Sequence, residues 1–180
     1  MIRLFVAVEL PADLRQRIRR ISTGVRDARW VAEENLHLTL RFIGEVEEYR
    51  LDDIVGALDA VESPSFPLTL AGAGHFESRK RVRTLWIGAE KSPELAVLAE
   101  RIDHALVRAG LAPEGRKFSP HITVARLTGA TAPAVAEWLA ANTLFKGFPF
   151  HITRFVLFAS YLGRGGPTYQ IVEAFPLERQ

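Results

Sequence analysis

The stretch Phe118-Ser119-Pro120-His121-Ile122-Thr123-Val124 sets a histidine and a threonine two positions apart in an apolar run opened by proline. Side chains two apart on a strand share a face, so His121 and Thr123 point one way and Ile122 and Val124 the other. Taken alone, this is a half-buried strand with one wet face. The same triplet, His-x-Thr, recurs at His37 and His151. Five histidines and ten threonines in 180 residues give roughly a quarter of one such triplet by chance, so three call for an explanation.

The explanation lies in the order of elements on either side. Ahead of His37, a strand over 4–9 leads to a helix over 11–21 with proline in its first turn. The strand carrying His37 spans 36–43, and a helix over 51–61 follows, with Leu51, Ile54, Val55 and Leu58 on one face. A third strand begins at Phe66, and then comes the basic stretch Arg79-Lys80-Arg81-Val82-Arg83. The same order then starts again. A strand over 85–89 leads to a helix over 94–109 with Leu95, Leu98, Ile102 and Leu106 in a stripe. Next come the His121 strand over 121–125, a helix over 134–141, and a strand from Phe148. One extra strand, 169–175, closes the chain.

Laid over one another, RLFVAVEL matches TLWIGAE, HLTLRF matches HITVAR, and FPLTL matches FPFHI. The expectation is one domain, 1–180, built by internal duplication of units near 1–77 and 84–180. Its fold class is α+β: two pseudo-symmetric lobes of mostly antiparallel sheet with outer helices, and the active site in the cleft between them. His37 and His121 occupy equivalent places in the repeat. His151 falls over Thr69 and reads as a strand coincidence.

Composition narrows the chemistry. With no cysteine in the chain, disulfides, thiolate nucleophiles and Cys-ligated zinc are excluded. The formal charge is only +2 and the pI is near 9.2, which permits a polyanionic partner without requiring one. No apolar run approaches the length of a membrane span, and the opening is too short for a signal peptide. The expected location is cytoplasmic, with no membrane partner.

A pseudo-twofold axis through the cleft brings two equivalent strands together, each presenting an imidazole and a hydroxyl. Without cysteine or an H-x-x-x-H spacing, two facing histidines suggest acid–base chemistry rather than a metal site. Imidazole titrates near neutrality without help. Hydrolysis of a phosphodiester needs a base for water and an acid for the departing oxygen, on opposite sides of phosphorus. Threonine hydroxyls could hold the non-bridging oxygens.

HLTLRFIGEV and RKFSPHITVAR resemble the paired motifs of the two-histidine (2H) phosphoesterases, and most closely the RNA 2′,3′-cyclic phosphodiesterases, also called 2′-5′ RNA ligases. The similarity spans the whole chain, including FVAVEL, Arg29-Trp30-Val31, LWIG and the closing Gly-Pro-Thr-Tyr. It implies that His37 is the proton donor and His121 the acceptor, although the quasi-equivalence leaves the roles exchangeable. Thr39 and Thr123 match phosphate-binding threonines, and Arg126 matches a phosphate-contacting arginine. Arg126 stands five after His121, so a bulge or strand end has to turn it inward. Phe42, at the same offset from His37, could stack on a base or serve the core. Arg41 departs from the small or apolar residue expected beside it. Arg116 and Lys117 are candidate RNA contacts ahead of the second motif. His75 and His104 are given no role, and Trp30 and Trp86 read as core.

The resemblance implies hydrolysis of a terminal 2′,3′-cyclic phosphate to a 2′-phosphomonoester on tRNA-like or oligonucleotide ends, without cofactor or metal. Reverse 2′-5′ ligation goes with it. The alternatives are a 2H enzyme acting on small cyclic nucleotides or 2′-5′ oligonucleotides, and a non-catalytic RNA-binding module. A metallohydrolase is a third.

Overall fold

The structure is a computed structural model that describes residues 1–178. In chain order the elements are β1 (Ile2–Glu9), α1 (Ala12–Ile21), β2 (Arg29–Trp30), β3 (His37–Val46), α2 (Leu51–Asp59), β4 (Phe66–Leu68), β5 (Leu70–Ser78) and β6 (Arg81–Ala89). They continue with α3 (Pro93–Arg108), β7 (His121–Ala130), α4 (Ala132–Asn142), β8 (Phe150–Ile152), β9 (Arg154–Gly163) and β10 (Gly166–Pro176). The fold is α+β, with two four-stranded antiparallel sheets of order β10-β9-β1-β3 and β2-β7-β6-β5.

The repeat is visible in these orders, but the lobes are not the sequence halves. The equivalent trios are β9-β1-β3 and β5-β6-β7. The third strand of each repeat has crossed to the other sheet: β5 pairs with β6, and β9 with β1. The helices divide in the same way. α2 packs on α3, and α3 on β3. On the other lobe α4 lies against β5, and the Trp138 Nε1–H of α4 donates to the Ile21 carbonyl at the end of α1, 2.8 Å away. Each lobe thus takes one helix from each repeat, and one strand of its equivalent trio comes from the other repeat.

The third strand of each repeat is broken in two. Phe66–Leu68 and Phe150–Ile152 pair with each other, Pro67 opposite His151, and form a small sheet between equivalent segments of the two repeats. His151 is committed to this pairing with its side chain in solvent. The basic stretch at 79–83 is the β5–β6 hairpin, turned by Arg79 (φ 52°) and Lys80 (φ 61°).

Local sequence explains the elements. β1 lies between two strands, and Leu4 through Val8 are all buried, as a central strand covered on both faces requires. α3 starts where the Ser92 side chain accepts from the Leu95 N–H at 3.1 Å, with Pro93 in the first turn. Its stripe of Leu95, Leu98, Ile102 and Leu106 is wholly buried, each side chain contributing about 2 kcal/mol relative to exposure.

Candidate active site

His37 and Thr39 open β3, and His121 and Thr123 open β7; the two strands come together although they belong to different sheets. In both, the triplet alternates with buried leucine, isoleucine or valine on the opposite face. Then both strands slip. Between Thr39 and Arg41 the register against β1 shifts by one residue, and between Thr123 and Ala125 the register against β6 does the same. After each bulge the buried parity is reversed: Leu40 and Arg41 are buried in succession, as are Val124 and Ala125. The next residues, Phe42 and Arg126, therefore point to the exposed side that carries the histidines. The bulge expected from the offset of Arg126 exists, and it exists twice.

Arg41 faces inward for the same reason. Its Nε donates to the Asp103 carboxylate of α3 at 2.7 Å, and its two terminal nitrogens donate to the carbonyls of Phe42 and Ala112. Asp103 also accepts from the Glu114 N–H at 3.1 Å. Its charge is spent on holding β3 to α3 and to the loop ahead of β7.

The two imidazoles are held alike. The Nδ1 of His37 lies 2.6 Å from the Asn35 carbonyl, and that of His121 lies 2.7 Å from the Ser119 carbonyl. A carbonyl only accepts, so Nδ1 carries the hydrogen in both neutral rings and Nε2 is left with the lone pair. The Thr39 hydroxyl is 2.9 Å from the His37 Nε2 and donates to it while the ring is neutral. The His37 pKa is lowered to about 4, chiefly by burial, with the Asn35 carbonyl opposing and the charges of Arg126 and His121 adding to the lowering. Both groups are therefore within electrostatic reach of His37 across the cleft.

Aromatic rings surround both imidazoles. His37 lies 4.8 Å from Phe5 and 6.4 Å from Phe158, between ring centroids. His121 lies 6.3 Å from Trp86 and 4.9 Å from Phe76. Phe5 is the repeat equivalent of Trp86, but their strand partners differ: Phe158 stands opposite Phe5, and Gly74 opposite Trp86. Trp86, expected in the core, instead lies beside the second histidine. A Cβ on Gly74 would stand 2.2 Å from its indole, so that glycine is needed for the ring to lie there; one on Gly88 would stand 2.9 Å from the Ala71 carbonyl and 3.1 Å from the indole. The alignment of RLFVAVEL with TLWIGAE sets Phe5 over Trp86, but apolar alternation by itself does not separate cleft from core.

Tyr169 on β10 adds a third ring to His37, edge-on at 5.3 Å, and also meets Phe5 at 4.9 Å. Burial pushes its phenol pKa up, opposed by the charge of Arg126. Arg116 and Lys117 are exposed on the loop before β7, and Arg116 lies 3.7 Å from Glu114 of the same loop. His75 pairs with Glu77 at 2.9 Å, and His104 faces Glu100 at 4.0 Å. Among the described residues, no three His, Asp or Glu side chains gather as metal donors do, and no helix is long and apolar enough to cross a membrane.

Two quasi-equivalent His-x-Thr strands meeting across one cleft of a duplicated α+β fold define a two-histidine phosphoesterase. The description "LigT like Phosphoesterase" matches the chain twice, over residues 8–86 and 87–169. The chain belongs to this family. An RNA 2′,3′-cyclic phosphodiesterase of Thermotoga maritima is 32% identical over 176 residues, covering 94% of this chain and 92% of the relative. One of Escherichia coli is 32% identical, covering 97% and 96%. Among solved structures, E. coli LigT complexed with 3′-AMP aligns with TM-score 0.81 at 32% identity over 98% of each chain. TT0787 of Thermus thermophilus aligns with TM-score 0.82 at 28% identity over 99% of each.

Proposed function

We propose that this chain is an RNA 2′,3′-cyclic phosphodiesterase that opens a terminal cyclic phosphate by acid–base catalysis between His37 and His121. The observation that carries the reading is the mirrored lock on the two rings: each Nδ1 held by the carbonyl two residues earlier. Two reactive Nε2 atoms of fixed tautomer are what in-line displacement at phosphorus uses. Family membership and relatives of that name over nearly the full chain support the substrate class.

In this reading the cyclic phosphate sits between the triplets, with the Thr39 and Thr123 hydroxyls and Arg126 on its non-bridging oxygens. His121 Nε2 takes a proton from water as the oxygen attacks phosphorus. The bond from phosphorus to the 3′ oxygen breaks, and His37 Nε2–H protonates that oxygen. The products are a 2′-phosphomonoester and a free 3′-hydroxyl. With a 5′-hydroxyl in place of water as the attacking group, the same displacement of the 3′ oxygen gives 2′-5′ ligation. Phe42, exposed on the histidine side, is placed to stack on a terminal base, and Arg116 and Lys117 are outer contacts for the RNA strand. No metal takes part.

His37 is almost wholly neutral at pH 7 before substrate arrives, since its pKa is about 4. A donor has to be charged, and the substrate supplies the means. The phosphate's negative charge offsets that of Arg126 and pairs with the imidazolium directly. The proton comes with the anion.

The test is a product assay on RNA ending in a 2′,3′-cyclic phosphate, with and without exhaustive chelation. His37→Ala and His121→Ala are each expected to remove most turnover, on the order of 10²-fold or more, while His151→Ala leaves it unchanged. Loss of activity on chelation would overturn the metal-free mechanism. Faster turnover of a cyclic mononucleotide than of the oligomer would move the substrate to small cyclic nucleotides.

A further inference from the structure

The duplication predicts that His37 and His121 have the same surroundings, and they do not. Each lobe has one strand without a counterpart: β2 beside β7 in one sheet, and β10 beside β9 in the other. β10 begins with Gly166-Pro167-Thr168-Tyr169, and two of these residues reach toward His37. The Tyr169 ring stands edge-on to the imidazole at 5.3 Å and to Phe5 at 4.9 Å. The Pro167 carbonyl accepts from the Asn35 side-chain amide at 2.9 Å. Asn35 is the residue whose own carbonyl holds the His37 Nδ1. His121 has neither contact. Its two aromatic neighbours are Trp86 and Phe76, the latter exposed, and its carbonyl partner Ser119 sits in an exposed position.

We propose that the Pro167–Tyr169 segment of β10 is a positioning element that makes the two equivalent histidines different: Tyr169 shields the His37 ring from water, and Pro167, through Asn35, fixes its tautomer. The segment acts through His37 and touches no reacting atom. The proposal rests on His37 being one of the two catalytic groups, but its test does not need turnover.

The groups that face His37 can be named from each element packed on it. Arg126 and His121 come from β7, Tyr169 from β10, and Thr39 from its own strand. Phe5 of β1 and Phe158 of β9 are apolar. Glu9 is opposite His37 in register, but its carboxylate is taken by Arg154 at 2.7 Å. The charges on this list oppose protonation of His37, and the rings remove water from it. Taking away the Tyr169 ring restores water and leaves the charges in place.

The experiment is a ¹⁵N and ¹³C NMR titration of both imidazoles in wild type, Tyr169→Ala, Tyr169→Phe and Asn35→Ala. In Tyr169→Ala the His37 midpoint is expected to rise by about one pH unit or more, as relief of desolvation requires, with the His121 midpoint unmoved. Tyr169→Phe keeps the ring and is expected to keep the wild-type midpoint. Asn35→Ala retains the carbonyl but loses the tie to Pro167, and the Nδ1–H share of neutral His37 is expected to fall while that of His121 holds. The proposal is overturned if His37 does not respond to Tyr169→Ala, if both histidines respond equally, or if Phe behaves as Ala. Should Tyr169→Ala fail to fold, Asn35→Ala decides the matter: an unchanged His37 tautomer overturns the relay. Loss of turnover with normal His37 titration in all variants would count against the positioning role alone, whereas normal turnover in His37→Ala would remove the catalytic reading.

Discussion

Adding adenosine 2′-monophosphate, a mimic of the proposed product, is expected to put a proton on His37 at pH 7. With a pKa of about 4 in the free protein, roughly one His37 in a thousand is charged at that pH, and charging it costs about 4 kcal/mol at 1.36 kcal/mol per unit. One negative charge about 4 Å away, at an effective dielectric near 20, returns about 4 kcal/mol. A phosphomonoester carries more than one charge near neutrality and also offsets the charge of Arg126. The bound-state midpoint therefore reaches about 7 or higher. The assay is an NMR titration of histidine-labelled protein with and without saturating nucleotide, with His37 assigned by its absence in His37→Ala. A His37 midpoint that stays near its free value with nucleotide bound would refute the reasoning, because a neutral ring cannot protonate a leaving oxygen. His37 would then be the proton acceptor and His121 the donor.

Three further outcomes follow from the geometry. The depressed pKa of His37 means that the unfolded chain binds more protons than the folded one between about pH 6.5 and 4, so stability from this group falls as pH falls, by about 3 kcal/mol in all. Denaturant melts across that window are expected to show a steeper loss in wild type than in His37→Gln. Gly74→Ala drives a Cβ into Trp86, which has to move; a stability loss of about 1–3 kcal/mol in chemical denaturation is expected, together with lower kcat, while an unchanged Trp86 fluorescence would contradict the packing. Arg41→Ala leaves Asp103 and the Ala112 carbonyl without their partner and is expected to cost about 3 kcal/mol or more in the same assay, against little change if the arginine were a cleft residue.

The bulges show how far local pattern reaches. Arg126 five residues after His121 demands a parity change if both are to face one site, and Phe42 after His37 repeats the demand. That much is arithmetic on a two-residue period, and the registers of both strands contain the slip. Arg41 looked out of place at the same point because one strand cannot reveal which side an arginine takes or that Asp103, 62 residues away, waits there.

By itself the sequence determined the duplication, the equivalence of His37 and His121, and the exclusion of the third triplet at His151 from that symmetry. These follow from side-chain period and spacing, which the chain carries locally. Only the tertiary structure decided that β5 and β9 trade sheets, that Trp86 and the buried Phe5 flank the histidines, and that β10 brings Tyr169 to one histidine and not the other. Strand partners are chosen by burial summed over the whole chain, and a strand's alternation is satisfied equally well in either sheet.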